Sequence, residues 1–205
     1  TYFFDSCLVT DDVLEAIKKC IEFAPLHNPA NLMGIDGCTK VMPNVPQVAV
    51  FDTAFHQTMA PNAYTYALPM KIVEEGVRKY GMHGTSHKFV SIEMNKILGR
   101  TDTKIVTCHI GNGSSISAVK DGKVMDTSMG FTPLAGVLMG TRCGDIDPAI
   151  VPYIMQKENM TADEVASYMN KKCGYIGLTK GFSSDSRDLE GAIANGPSDP
   201  HYETS

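Results

Sequence analysis

No apolar run in this chain approaches the roughly eighteen residues that a membrane-spanning helix needs. An excess of positive charge is missing too: 18 Lys and Arg stand against 23 Asp and Glu, and the net charge of −5 argues against nucleic acid as a partner. There is no C-x-x-C. The six cysteines (7, 20, 38, 108, 143 and 173) are scattered, which favours a reducing cytosol, and hence a cytoplasmic protein, over a disulfide framework. Cys108, inside an apolar strand pattern, is expected to be a small buried thiol. Repeats and low-complexity tracts are absent. The opening, TYFFDSCLVTDD, has no starting Met, resembles neither a signal nor a transit peptide, and enters structure almost directly, so the chain is expected to be the middle of a longer protein. With 43% hydrophobic and 20% charged residues over 205 positions, the class that remains is globular, with one large domain or two small ones.

The stretch that organises the chain is KIVTCHIGNGSSISAVKDGKVM, residues 104–125. A β-branched run from Lys104 to Ile110 meets a glycine-rich turn, a second alternating run follows from Ile116, and Asp121-Gly122 marks a tight turn into a third. A plain hairpin explains Gly111-Asn112-Gly113. So does a loop that wraps backbone N–H groups around an anion, because the glycines permit positive φ and close approach. His109 before the turn and the extra hydroxyls of Ser114 and Ser115 favour the anion loop. It is neither a P-loop, lacking Gly-Lys-Ser/Thr, nor a dinucleotide fingerprint, lacking the third glycine and the βαβ setting. A phosphate loop inside a hairpin points to the actin-like ATPase architecture.

Elsewhere, Thr10 is expected to cap a helix running to Pro25, and Asn28-Pro29 to start another that buries Leu32, Ile35 and Met42, with Gly34 and Gly37 in close packing. Val48 to Phe51 reads as a strand with Asp52 at its C-terminal end, as a ligand-facing acid or as a cap. His56 is a partner to Asp52 or an ordinary loop histidine. A helix is predicted from Pro69 to Lys79. The next spans Ser86 to Leu98 with Val90, Met94, Ile97 and Leu98 inward. His83 and His87 lack the Glu of a zinc protease motif, so an anion-facing histidine before a helix N-terminus is the better reading. Residues 126–151 form a long glycine-bearing loop whose one cation, Arg142, either pairs with Asp145 or Asp147 or offers its fork to an oxyanion. Asp147-Pro148 is expected to cap and open a helix in which Pro152 strains the first turns. Thr161 to Glu164 is a capping box, with Val165, Tyr168 and Met169 inward. Asp185 and Arg187 open a last helix, where simple capping by Ser183 or Ser184 is the plain alternative, and the final ten residues are expected to fray.

Six phrases, in order and spanning nearly the whole chain, together resemble the acetate kinase family. They are APLHNPANL (24–32), VPQVAVFDTAFHQTM (45–59), YGMHGTSHKFVS (80–91), HIGNGSSISAV (109–119), DTSMGFTPLAGVLMGTRCGDIDPAI (126–150) and, more loosely, GFSSDSRDLE (181–190). The resemblance implies an α/β, actin-like (ribonuclease H-like) ATPase fold. Residues 1–51 would end the first domain and 52–205 would begin the second. It also implies transfer of the ATP γ-phosphoryl to acetate with Mg²⁺, in a cytoplasmic homodimer, with propionate and butyrate kinases as near relatives. By position, Asp52, His83 and Arg142 match the family's catalytic residues. His109, Ile110, Gly111, Asn112 and Gly113 match a phosphate loop, and Asp185, Ser186 and Arg187 match a nucleotide contact. Met82 stands where Phe is usual, and Ser186 where an apolar residue is usual. Asp52 is expected to orient Arg142, water or the metal shell. The family's first phosphate loop, substrate arginine, adenosine motif and metal-binding glutamate have no match here, so no metal ligand is assigned within the chain. The competing expectation is an inactive piece that serves as a binding or dimerisation module.

Overall fold

The computed structural model describes residues 3–21, 24 and 27–205. Its N-terminal part is a two-stranded antiparallel pairing, β1 (Cys7–Leu8) with β2 (Val48–Ala49), and two helices between them, α1 (Asp11–Lys19) and α2 (Asn28–Val41). Thr10 takes the N-cap backbone conformation of α1 but makes no side-chain capping bond; Asp11 and Asp12 provide the favourable charge. Ser-like capping is thus replaced by the dipole term alone. α1 ends at Lys19, and Pro25, expected to stop it, lies outside the described residues. α2 differs most from expectation. None of its residues is buried, Met42 is 46% exposed, and a Cβ on Gly34 or Gly37 would meet nothing.

The centre is the antiparallel meander β3 (Lys104–Ile110), β4 (Ser114–Lys120) and β5 (Lys123–Thr127), in the order β3-β4-β5. Its register pairs Ile110 with Ser114 across the GNG turn, and a bulge falls at Ala118/Val119. Asp121 and Gly122 both take positive φ, as the second turn requires. The 3₁₀ turn Ala54–Thr58 and α3 (Pro61–Tyr64) lie over β5, where Met59, Val119 and Val124 form a core with Phe55, Ala63 and Tyr64.

α4 is short (Met70–Glu74), and α5 (Gly84–Leu98) packs on β3 and on the 3₁₀ turn. The face α5 buries is Gly84, His87 and Ser91. Val90, Met94, Ile97 and Leu98, expected inward, are exposed. The same inversion holds on β3, where Thr107 is buried while Val106, Cys108 and Ile110 are exposed. Side chains alternate across a strand, so placing Thr107 inward necessarily turns Cys108 outward.

Residues 128–149 contain no helix or strand, yet Met129 and Met139 within them are wholly buried. α6 (Ile150–Glu158) starts later than Asp147-Pro148 suggests, because the Asp147 carboxylate accepts from Ala149 N–H (2.9 Å) in a turn of its own. Pro152 then falls in the first helical turn, where the missing N–H has no intrahelical partner to lose, and the expected strain vanishes. The capping box at Thr161 opens α7 (Ala162–Lys171), burying Val165 and Met169 but leaving Tyr168 37% exposed. α8 (Gly174–Leu178) and α9 (Ser186–Asn195) follow. Asp185 rather than Ser183 or Ser184 caps α9, and the chain end is held by Phe182 stacked on His201 (3.8 Å) instead of fraying.

Candidate active site

Asp52 leaves β2 and meets the start of α5. Its Oδ2 accepts from His83 N–H (2.7 Å), and its carbonyl accepts from Gly84 N–H (2.8 Å). These bonds pin His83 in the left-handed region (φ 61), a conformation that costs a non-glycine residue about 1–3 kcal/mol unless its surroundings enforce it. Asp52 is therefore a cap in geometry, and its carboxylate holds the backbone of His83, a contact beside the expected ones to Arg142, water or the metal shell.

His83 lies flat against His109 of β3, with centroids 4.0 Å apart, and His109 Nδ1 is 2.9 Å from Ser86 Oγ. His83 Nδ1 reaches Ser115 Oγ on β4 at 2.9 Å. Burial, then the neighbouring His109, lowers the His83 pKa, Asp52 opposes that shift and Arg142 adds to it. Ser115 also meets His87 Nε2 (2.7 Å), whose Nδ1 meets Thr107 Oγ1 (2.7 Å). His56, fully buried, is 3.2 Å from Ser117 Oγ and edge-on to His87. Burial pushes both His56 and His87 down to about 4, so both rings are neutral at pH 7.

The GNG turn closes over this array. Gly111 and Gly113 do not use positive φ. What the turn exploits is close approach: a Cβ on Gly113 would stand 3.2 Å from Arg142 Nη1 and 3.4 Å from His83 Nε2. Three stretches distant in sequence, 83, 113 and 142, thus converge on one point. Ser114 is spent on the turn, donating to Gly111 O (3.1 Å), and Ser115 on the histidines, so neither hydroxyl is turned to an anion as expected. Ile110 points outward, 67% exposed. Asn112 borders Gly140 and Ser184, since a Cβ on Gly140 would lie 2.8 Å from Asn112 Oδ1 and 2.7 Å from Ser184 O.

Arg142 forms no ion pair among the described residues. Its Nη1 donates to Pro133 O (3.1 Å), while Asp145 Oδ1 accepts from Gly136 N–H (2.8 Å) and Asp147 from Ala149. The ion-pair alternative for Arg142 is not what the fold builds. Asp185 caps α9 through Arg187 N–H (2.9 Å) and pairs with the Arg187 guanidinium, which holds its carboxyl down at about 2. Ser186 is the first residue of α9. The sequence reading missed His87, Ser115 and His56 as parts of one network. The signal was there in their inward alternation, Thr107/His109 on β3 and Ser115/Ser117 on β4, facing a helix at i, i+4 histidine spacing.

No group of three or more His, Cys, Asp or Glu side chains fit to hold a metal occurs among the described residues, and no helix there is long and apolar enough to cross a membrane.

The chain is similar to known proteins over nearly its whole length. The chain is 60% identical over 197 residues to acetate kinase from Desulfitobacterium hafniense (strain DSM 10664 / DCB-2), covering 95% of the chain and 49% of that protein. It is 58% identical to acetate kinase from Clostridioides difficile (strain 630), with 95% and 49% covered. The crystal structure of a propionate kinase from Francisella tularensis subsp. tularensis SCHU S4 superimposes with a TM-score of 0.92 at 48% identity, covering 96% of this chain and 51% of that one. Acetate kinase from Porphyromonas gingivalis gives 0.90 at 46%, covering 98% and 51%. The chain thus spans about half the length of the relatives it matches. Its α/β layout agrees with a fragment of the actin-like ATPase fold. With the Acetokinase family model matching residues 1–202, the chain belongs to that family.

Proposed function

We propose that this chain is the part of an acetate kinase that faces the phosphoryl group in transit between ATP and acetate, giving acetyl phosphate and ADP. The observation that carries the reading is the convergence of His83 Nε2 and Arg142 Nη1 on the Cβ-free Gly113. Phosphoryl transfer through a loose transition state asks mainly for positioned cations and donors around three equatorial oxygens. A guanidinium, an imidazole and a bare turn at one point match that need. Nη1 is braced at that point by Pro133 O (3.1 Å) and, more weakly, by Met139 Sδ (3.8 Å), while Nη2 and Nε have no hydrogen-bond partner among the described residues, so the guanidinium keeps donors for an oxyanion. Acetate, with a carboxyl pKa near ~4, is already ionised at neutral pH, so its attack needs no general base. Asp52 accordingly acts by holding His83. Asn112 approaches Gly140 and Ser184, the residue before Asp185, and in this reading Asp185 and Arg187 open toward the nucleotide.

Mg²⁺ in ATP enzymes is usually held by phosphate oxygens with one or two carboxylates. The carboxylate beside His83 is Asp52; its Oδ2 accepts from the His83 N–H, and its Oδ1 would remain for the shell of an ion carried by the phosphates. Propionate is the second acyl acceptor to weigh, favoured by the propionate kinase superposition. We assign residues 1–51 to the end of one domain and 52–205 to the start of the next; helices α1 and α2 pack on each other, and β1 on β2, in keeping with that division. The uncovered apolar residues of α5 and β3 support reading the chain as part of a larger protein, the scattered cysteines support a cytoplasmic one, and open α2 supports a homodimer. Hydroxamate trapping of acetyl phosphate, with acetate, propionate and butyrate as acceptors, tests the reading. The full-length protein should react and residues 1–205 alone should not; an inert full-length protein would refute the activity.

A further inference from the structure

We propose that His87 is a positioning residue: through the buried hydroxyl of Ser115 it fixes a proton on Nδ1 of His83, so that any proton His83 gains must enter on Nε2, the atom facing Gly113 and Arg142. The proposal rests on His83 acting at the phosphoryl group.

The argument is one of hydrogen counting along a chain of four contacts. Thr107 Oγ1 lies 3.3 Å from Ser117 O, a carbonyl that can only accept, so the Thr107 hydroxyl donates there. Thr107 then has only lone pairs left for His87 Nδ1 at 2.7 Å, and that nitrogen must carry the hydrogen. His87 is 1% exposed and, desolvated, neutral, with a single ring hydrogen, so its Nε2 is an acceptor. Ser115 Oγ, 2.7 Å away and fully buried, therefore donates to His87. Its lone pairs face His83 Nδ1 at 2.9 Å, which must donate. The reverse assignment, with Thr107 donating to His87, leaves the Thr107–Ser117 contact without a hydrogen. Only the first gives a hydrogen to all four contacts.

This direction has a chemical consequence. An oxygen that accepts from Nδ1–H suits both the neutral ring and the imidazolium, so His83 can take up a proton on Nε2 without any neighbour rotating. That proton forms an N–H aimed at the point shared with Arg142. The opposite direction, with Ser115 donating to Nδ1, would have to break before His83 became cationic. The first turn of α5, where His87 N–H donates to the carbonyl of the N-cap His83 (3.0 Å), brings both rings over β4, which is how one serine serves the two.

The test uses full-length protein labelled with ¹⁵N-histidine, His83 being assigned by loss of its signals in His83→Gln. In the wild type the neutral ring should show its proton on Nδ1. Ser115→Ala should release it toward Nε2–H and lower kcat by at least about tenfold, with the KM for ATP and the melting temperature little changed. His87→Leu should do the same, and the double variant should be no worse than Ser115→Ala. Should His87→Leu not fold, Ser115→Ala alone decides. A wild-type His83 protonated on Nε2, or a folded Ser115→Ala enzyme with wild-type kcat, overturns the proposal. A wild-type protein that makes no acetyl phosphate overturns the functional reading instead, and the tautomer still judges the network.

Discussion

Arg142→Ala in the full-length protein separates the two kinds of contact this side chain makes. Its Nη1 donates to Pro133 O at 3.1 Å, a bond within the irregular 128–149 loop that exists whether or not substrate is bound. A hydrogen bond from a charged donor contributes about 1.5–3 kcal/mol when well desolvated. Arg142 is half-buried, so the lower end applies, and a melting temperature lower by about 2–4 °C per kcal/mol is expected for a domain of this size. The same Nη1 is the atom that would lie 3.2 Å from a Cβ on Gly113, where in the proposed transfer charge develops only during the reaction. Removing one preorganised donor of that kind typically costs a factor of about 10²–10³ in kcat. Steady-state kinetics and a melting curve on one preparation should therefore show both effects, with kcat reduced at least about a hundredfold and the KM for ATP nearly unchanged, the signature of an interaction made in the transition state. Arg142→Lys should recover part of the rate, since a compact ammonium cannot serve Pro133 O and an oxyanion together. A stable Arg142→Ala protein with wild-type kcat would remove Arg142 from the mechanism and reduce it to a brace for its loop.

Three further outcomes follow from the geometry. Gly113→Ala places a methyl 3.2 Å from Arg142 Nη1 and 3.4 Å from His83 Nε2, so it should weaken ATP binding in a titration more than it lowers the melting temperature; unchanged affinity would mean that no phosphate approaches there. His56 and His87 are neutral in the fold down to about pH 4, whereas unfolded rings take up protons near 6.5, so their stabilisation is full above pH ~6.5 and is lost as pH falls toward 4. Thermal melts across that window should show the decline, and His56→Asn should flatten it; a flat wild-type curve would contradict the burial of these rings. Arg187→Ala should raise the KM for ATP and leave kcat alone, while a loss confined to kcat would move Arg187 into the transfer step.

The strands, the turns between them and the capping box were legible because each rests on local chemistry: alternation, Asp121-Gly122, and Thr161 facing Glu164. Facing was not. Periodicity places Val90, Met94 and Ile97 on one stripe of α5, but it does not say which stripe meets the sheet. Here the sheet presents Thr107, Ser115 and Ser117 to the His87–Ser91 stripe, a pairing that gives both ring nitrogens of His87 hydroxyl partners on Thr107 and Ser115. The apolar stripe is left outside. Cys108 and Tyr168 were misplaced by the same assumption, that apolar character alone decides direction.

The site was legible as a set of residues but not as a set of relations. Asp52, His83 and Arg142 could each be named from their motifs, and each also had a structural duty that the motif did not show. Asp52 spends its carboxylate on the His83 N–H, and Arg142 spends one nitrogen on Pro133. The left-handed backbone of His83 is what makes the Asp52 bond necessary. Without the Asp52 cap the residue would relax toward an ordinary φ, and Nδ1 would leave Ser115 as Nε2 left the glycine turn. Position and protonation of His83 are thus set from opposite sides, its backbone by the carboxylate after β2 and its ring by the hydroxyl of β4. A change on either side should reach the same Nε2 atom, the one beside Gly113.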